Sequence, residues 1–335
     1  MSLDVFRGRA FHTTTLTDHV GSMPYVPMQL RDLGIFAVRG VRTRSIYVTQ
    51  RDGKVELIPT STIGAPPEQY EKDMRDAINF RTSRLAKGDR VAAEEVQGVL
   101  ADGSETQLKN LTGEVNERLV DLRRDMELTK EHMRLGAING VVVDAKGVQL
   151  ADYYGDFAVT RPDEVGFSLD TASLSGIAKS CLAVLRHMEA EGGAELSVGA
   201  GSVVGLCGAT FWEKLIAHPD VIDVYARAAN AAAALDRSPD QFTMNGIRFV
   251  RYRGTDDGTT ASIPADKVRF VPAGTDAFRE LYAPAEFAPY VNQRGLAEYA
   301  MVIPDEKRQA HVDVELYSYP LMLCQRPRML ISGAA

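Results

Sequence analysis

From Leu108 to Met133 the apolar residues recur at helical spacing. Leu108, Leu111, Val115, Leu119, Leu122, Met126 and Met133 fall on one face, which predicts a helix over 108–135. The other face carries Glu114–Arg118 and Arg123–Glu127 at i,i+4, and Asp121–Arg124 and Glu127–Lys130 at i,i+3. Charged pairs at these spacings suit a solvated surface. With one apolar stripe, the helix is expected to pack on a sheet and expose its back. Gly136 and the pair Asn139-Gly140 supply its stop signals.

Elsewhere the period changes from helical to alternating. Ile46, Val48, Val55 and Leu57 alternate with polar residues around Asp52-Gly53, a hairpin signal. Val141 to Leu150 forms a second hairpin, turning at Asp144 to Gly147. Ile177, Cys181, Leu182, Leu185 and Met188 mark another helix, ended by Gly192-Gly193. Ser202 to Cys207 reads as a short buried strand. Thr210-Phe-Trp-Glu213 is a capping box opening the next helix. Pro219 breaks that helix, and an Ala-rich helix is expected over 221–235. Met244 to Tyr252, Val268 to Gly274 and most of Ala310 to Ile331 read as extended. Residues 1–40 show little periodicity beyond a short helix before Gly34. They read as an arm with too few apolar residues to bury a core of its own. Helices and strands do not alternate regularly, so the fold class is α+β rather than a doubly wound sheet.

Composition narrows the function. The chain has 335 residues, 45% of them hydrophobic, enough for a sizeable core. Its formal charge is −7, which argues against a protein gripping nucleic acid through clustered cations. The charge is uneven. From Arg39 to Arg90 there are 11 Lys/Arg against 7 Asp/Glu, so the remainder is the more acidic. Arg39, Arg42, Arg44, Arg51 and Lys54 are the candidate inter-subunit contacts. Arg42 and Arg44 are expected on one strand face, where they suit ion pairs with a neighbour. Cys181, Cys207 and Cys324 sit singly in apolar settings and read as buried reduced thiols of a chain made in a reducing compartment. The N-terminus lacks the basic and apolar regions of a secretory signal. No stretch approaches the ~18 apolar residues of a membrane span.

The chain carries no motif that implies catalysis, a cofactor or a metal. A phosphate-binding loop, H-E-x-x-H, paired C-x-x-C and G-x-S-x-G are all missing from the sequence. Gly199-Ala-Gly201-Ser-Val-Val-Gly205 approximates a dinucleotide loop, but its third glycine comes one residue late and the helix is delayed. Asp256-Asp257-Gly258 lacks the further oxygen ligands of a calcium loop. What stands out instead are features incomplete in a monomer: an arm without a core, a long charged hairpin and a one-striped helix.

That combination resembles the major capsid proteins of lambda-like tailed, double-stranded-DNA bacteriophages, with the Hong-Kong-phage-type shell fold. The resemblance rests on element order and on three stretches. These are the hairpin Val141-Val-Val-Asp-Ala-Lys-Gly-Val-Gln-Leu-Ala-Asp-Tyr-Tyr-Gly-Asp-Phe157, the strand-to-helix step Val203 to Leu215, and the ending Tyr317-Ser-Tyr-Pro-Leu-Met-Leu-Cys-Gln-Arg-Pro327. It implies an N-terminal arm over 1–40 and an extended loop over 41–90 reaching across a neighbour. It implies a peripheral domain over 91–165 with the spine helix, a mainly axial domain over 166–300, and C-terminal strands over 301–335 joining the two. The implied protein self-assembles as pentamers and hexamers into an icosahedral head. It encloses DNA without sequence-specific binding and uses no cofactor. Scaffolding, portal and decoration proteins are the implied partners. No long charged helical segment precedes the arm, so either a separate scaffolding protein or a processed N-terminus is expected. The implied location is the virion, with assembly in the host cytoplasm. A tail or portal-associated structural protein and a cytoplasmic enzyme are the competing readings.

Overall fold

A computed structural model describes residues 29–49, 77–97, 111–171, 176–192, 202–222, 240–255 and 261–335. The strands, in chain order, begin with β1 (Ala37–Gly40), β2 (Ser45–Thr49), β3 (Ala77–Arg81) and β4 (Leu85–Ala92). The long helix α1 (Leu111–Asn139) is followed by β5 (Val141–Val143), β6 (Gln149–Asp152) and β7 (Val165–Gly166). Helix α2 (Gly176–Gly192), β8 (Val203–Cys207) and helix α3 (Ala209–Ala217) come next. Then follow β9 (Gln241–Met244), β10 (Ile247–Arg251), β11 (Lys267–Pro272), β12 (Phe278–Tyr282) and β13 (Tyr299–Pro304). The chain closes with β14 (His311–Ser318), β15 (Pro320–Cys324) and β16 (Ile331–Ala334).

Three sheets of three or more strands organise the described residues, beside the two-stranded pairs β2–β3 and β5–β6. The largest has six strands in the order β7-β16-β11-β8-β10-β9. Its centre, β8, is buried at all five positions, the pattern of a strand covered on both faces. One face packs on α2 and α3 through a cluster that includes Phe167, Phe211, Phe249 and Phe270. A second sheet, β13-β14-β4, lies against the first half of α1, where Val115, Leu119, Leu122 and Met126 meet Val312, Val314 and Leu316. The third, β1-β12-β15, belongs to a central core that also takes in Met133, Ile138 and Tyr153. The last three strands each enter a different sheet: β14 pairs with β4, β15 with β12, and β16 with β11.

Several expectations hold. Helix α1 contains the apolar stripe, although it runs to Asn139; Gly136 lies inside it, and Gly140 ends it at φ +87°. Leu108 lies outside the described residues. The 141–152 hairpin forms, and the Asp144 carboxylate accepts from the backbone N–H groups of Lys146 and Val148 at 2.7 and 2.8 Å. Strand β8 is where the pattern placed it.

Others need correction. Ser45–Thr49 pairs antiparallel with Ala77–Arg81, a partner the pattern did not indicate; Val55, Leu57 and the expected Asp52-Gly53 turn lie outside the described residues. The end of the expected 41–90 excursion is a body strand, because β4 pairs with β14 along eight residues. The later part of the arm is core: Leu30, Ile35 and Phe36 are buried, and β1 pairs parallel with β12. On α2, Val184 faces the core while Leu182 is exposed. The Thr210 capping box does not form. Gly208 is the N-cap of α3 with no side-chain cap, and the Phe211 N–H donates to the Ala265 carbonyl at 2.7 Å. A backbone acceptor thus does the work the hydroxyl was expected to do. Of the Ala-rich segment only residues 221 and 222 are described.

Candidate assembly surfaces and a buried ion network

The β2–β3 ribbon is anchored by one face only. Phe80 and Val48 are buried, and the Phe80 ring sits 5.6 Å from Tyr153 and 5.8 Å from Phe157. Tyr153 is held in turn by its hydroxyl, which donates to the Met322 carbonyl. On the other face Tyr47 is 68% exposed. An aromatic ring left open on a two-stranded ribbon is the kind of surface a partner covers.

The predicted contact residues separate. Arg39 lies on β1 and its guanidinium reaches Asp276 at 3.3 Å within the same chain. Arg42 and Arg44 do not share a strand face, since β2 begins only at Ser45. Both sit in the connector from β1 to β2. Arg42 is exposed and forms no ion pair among the described residues. Arg44 lies 3.7 Å from Glu286 and over the Tyr319 ring at 4.9 Å. Arg51 and Lys54 lie outside the described residues. Arg84, on the returning limb, meets Glu286 at 3.1 Å and covers the Tyr317 ring at 5.1 Å.

A second constellation was not anticipated. The back of α1, expected in water, is buried from Glu127 onward. Arg134 donates to both carboxylate oxygens of Glu280 on β12, at 2.9 and 2.8 Å, and to Glu131 at 3.3 Å. Lys130 donates to Glu298 at 2.8 Å and to Glu127 at 3.1 Å. Arg123 approaches Glu298 at 3.2 Å, and Arg31 approaches Glu127 at 3.3 Å. The Glu131 carboxylate accepts from the Leu30 N–H at 2.8 Å. The network therefore ties α1 to the N-terminal segment, to β12 and to the residues before β13.

Its charges set one another. Burial pushes the Glu127 carboxyl up, but Lys130, Arg134 and Arg31 outweigh it and hold it at about 2. Glu131 goes the other way. Burial raises it, and the Leu30 N–H and Arg134 only partly oppose the rise. Such perturbed carboxyls can mark an active site. Here every one is enclosed in reciprocal pairs, an arrangement that fixes segments together and offers no reacting group to solvent.

The thiols are as inert as expected. Cys181, Cys207 and Cys324 are free and buried, and burial pushes Cys181 and Cys324 up to about 12. Among the described residues no group of three or more His, Cys, Asp or Glu could hold a metal, and no helix is long and apolar enough to cross a membrane. Only the charge pairs of α1 hinted at the network. Nothing in their spacing marks them as buried, because the same spacing serves solvated pairs.

Comparison with known proteins agrees with this picture of a structural subunit. The chain is 27% identical to the major capsid protein of Pseudomonas phage KPP10, with 97% of each chain covered. It is 23% identical to the major capsid protein of Salmonella phage Felix O1, over 97% of this chain and 96% of that one. Among solved structures, the capsid of the cyanophage P-SCSP1u superposes with a TM-score of 0.52 at 10% identity, covering 94% of this chain and 90% of the other. That likeness establishes the Hong-Kong-phage-type shell fold. The sequence model described as phage major capsid protein E matches residues 12–335. This chain therefore belongs to the phage major capsid protein E family.

Proposed function

We propose that this chain is the repeating unit of an icosahedral phage head, assembling as pentamers and hexamers around double-stranded DNA. The observation that carries the reading is the β2–β3 ribbon. Its one face packs on the chain's own core while Tyr47 stays open on the other. The reading has this excursion lie across the adjacent subunit, with Arg42 directed to the neighbour.

The six-stranded sheet with α2 and α3 then corresponds to the axial domain at the centre of each ring. Helix α1 with the β13-β14-β4 sheet corresponds to the peripheral domain. The three closing strands, each in a different sheet, support the role of the C-terminal segment as the link between them. In this reading a scaffolding protein, a portal and a decoration protein are the partners, assembly runs in the host cytoplasm, and the acidic balance lets DNA move along the inner wall.

The test is assembly itself. The expressed chain, with its scaffold where one is required, should elute as very large particles that electron microscopy resolves as closed shells. Protease should cut the free subunit between Arg51 and Arg75, short of the paired strands β3 and β4, and spare that region in shells. Monomeric behaviour at high concentration with scaffold present would refute the reading.

A further inference from the structure

We infer that Glu286 is a positioning residue: a single carboxylate that fixes the direction in which the 45–81 excursion leaves the body. The inference rests on the reading of that excursion as a neighbour-covering loop. Its basis is where the two limbs pass. Arg44 immediately precedes β2 and Arg84 immediately precedes β4, so they flank the outgoing and returning ends. One oxygen of Glu286 faces Arg44 at 3.7 Å and the other faces Arg84 at 3.1 Å. Each guanidinium also lies over a tyrosine ring, Arg44 over Tyr319 and Arg84 over Tyr317. The two rings flank Ser318, where β14 passes into β15.

The carboxylate itself is well seated. Ala285 is buried beside it, and the Phe287 ring meets Tyr317 edge-on at 5.0 Å. Tyr317 and Tyr319 belong to a small tyrosine-rich cluster with Tyr290 and Tyr299. Backbone bonds complete the base: the Thr82 N–H donates to the Arg44 carbonyl at 3.0 Å, and the Ser83 N–H to Pro320 at 2.9 Å. Those bonds join the limbs to each other and to the body. With Phe80 and Val48 seated in the core on one face, they leave the finer tilt of the ribbon to the side chains at its base.

The leverage is large for so small a contact. The three side chains are partly exposed, at 49% for each arginine and 39% for Glu286, so the ion pairs add little to stability. A strand of five residues is about 17 Å long, however, and a swing of about 15° at its base moves the far end by about 4 Å. A contact too weak to matter for folding can therefore decide whether the ribbon meets its neighbour.

The test uses the full-length unassembled subunit. Tyr47→Cys and Ile303→Cys place spin labels on the ribbon and on the body, both at exposed positions, while the native thiols are buried. The distance distribution should be narrow in the parent at low salt and at least twofold broader in Glu286→Gln, with circular dichroism and urea midpoint unchanged. Raising salt to about 1 M should broaden the parent and leave the variant as it was, because screening removes only what the carboxylate supplied. A Glu286→Gln distribution as narrow as the parent's overturns the inference, whatever the shells look like. Normal shells built from subunits whose ribbon has come loose would leave the inference standing and count against the neighbour-covering loop.

Discussion

The two halves of helix α1 solve the same packing problem with opposite chemistry. The first half buries Val115, Leu119, Leu122 and Met126 against a sheet and leaves most of its charges, Arg123 and Glu114 aside, at least partly exposed. The second half is enclosed nearly all round and buries Glu127, Lys130, Glu131 and Arg134 with equal thoroughness. Apolar burial is non-directional and tolerates sliding by a methylene. A bidentate Arg134–Glu280 pair does not tolerate it, because both bonds must form together. The difference suggests that the apolar half supplies adhesion while the ionic half supplies registry, at the place where four stretches of chain converge.

Removing one member of the ionic half should have the largest effect. Arg134→Met leaves Glu280 and Glu131 buried without their partner, and breaking such a pair costs roughly 3–5 kcal/mol. The urea midpoint of the unassembled subunit should fall accordingly, and a midpoint within error of the parent's would make the network ornamental. Leu119→Ala probes the apolar half, where a cavity costs roughly 2–5 kcal/mol. If denaturation showed no loss there, the stripe would not be a core face.

Acid separates the two glutamates. Glu127 is held below its ordinary value of 4.5, at about 2. Its contribution is therefore complete above 4.5 and is lost as pH falls from there through about 2. Glu131 is raised, so its charge opposes folding at neutral pH and acid relieves that opposition. Glu127→Gln should accordingly destabilise more than Glu131→Gln at pH 7, and its penalty should shrink between pH 4.5 and 2. Denaturation curves across that range check the order, and equal penalties at pH 7 would contradict it. The smallest effect on the subunit belongs to Arg42→Glu. At an exposed position without an ion pair among the described residues, stability should move by no more than about 0.5 kcal/mol. Shell assembly, followed by light scattering, should nevertheless slow and lose much of its salt dependence if Arg42 faces a neighbour.

What the sequence reveals follows the same divide. Periodicity exposed the stripe of α1, the fully apolar β8 and the hairpin at Asp144, because each is a local pattern with a local cause. The partner of β2 was invisible, since Ala77–Arg81 lies about 30 residues away and the Asp52-Gly53 signal favoured a nearer strand. The buried charges escaped for a sharper reason. Glu127 and Lys130 at i,i+3 look alike whether water or Glu298 waits on the far side. One signal was present and unused: Asn245 and Gly246, both at positive φ, turn β9 into β10, and that dipeptide is the mark of such a turn. The site at Glu286 had no local signature, because its partners come from positions 44, 84, 317 and 319.

The pairing of β4 with β14 also has a consequence in time. Arg90 and Asp313, which face each other across it at 2.8 Å, are 223 residues apart in sequence. At a synthesis rate of about 5–20 residues per second, β4 leaves the ribosome roughly 10–45 s before its partner exists. Through that interval it is an unpaired edge in a crowded cell, beside other copies of itself. Its sequence, Leu-Ala-Lys-Gly-Asp-Arg-Val-Ala, interrupts the apolar run with three charges and a glycine, and these discourage premature pairing with a second chain. A shell protein has most to lose from such pairing, and the charges that pair with Asp125, Asp313 and Arg118 in the folded subunit also discourage it in the nascent chain.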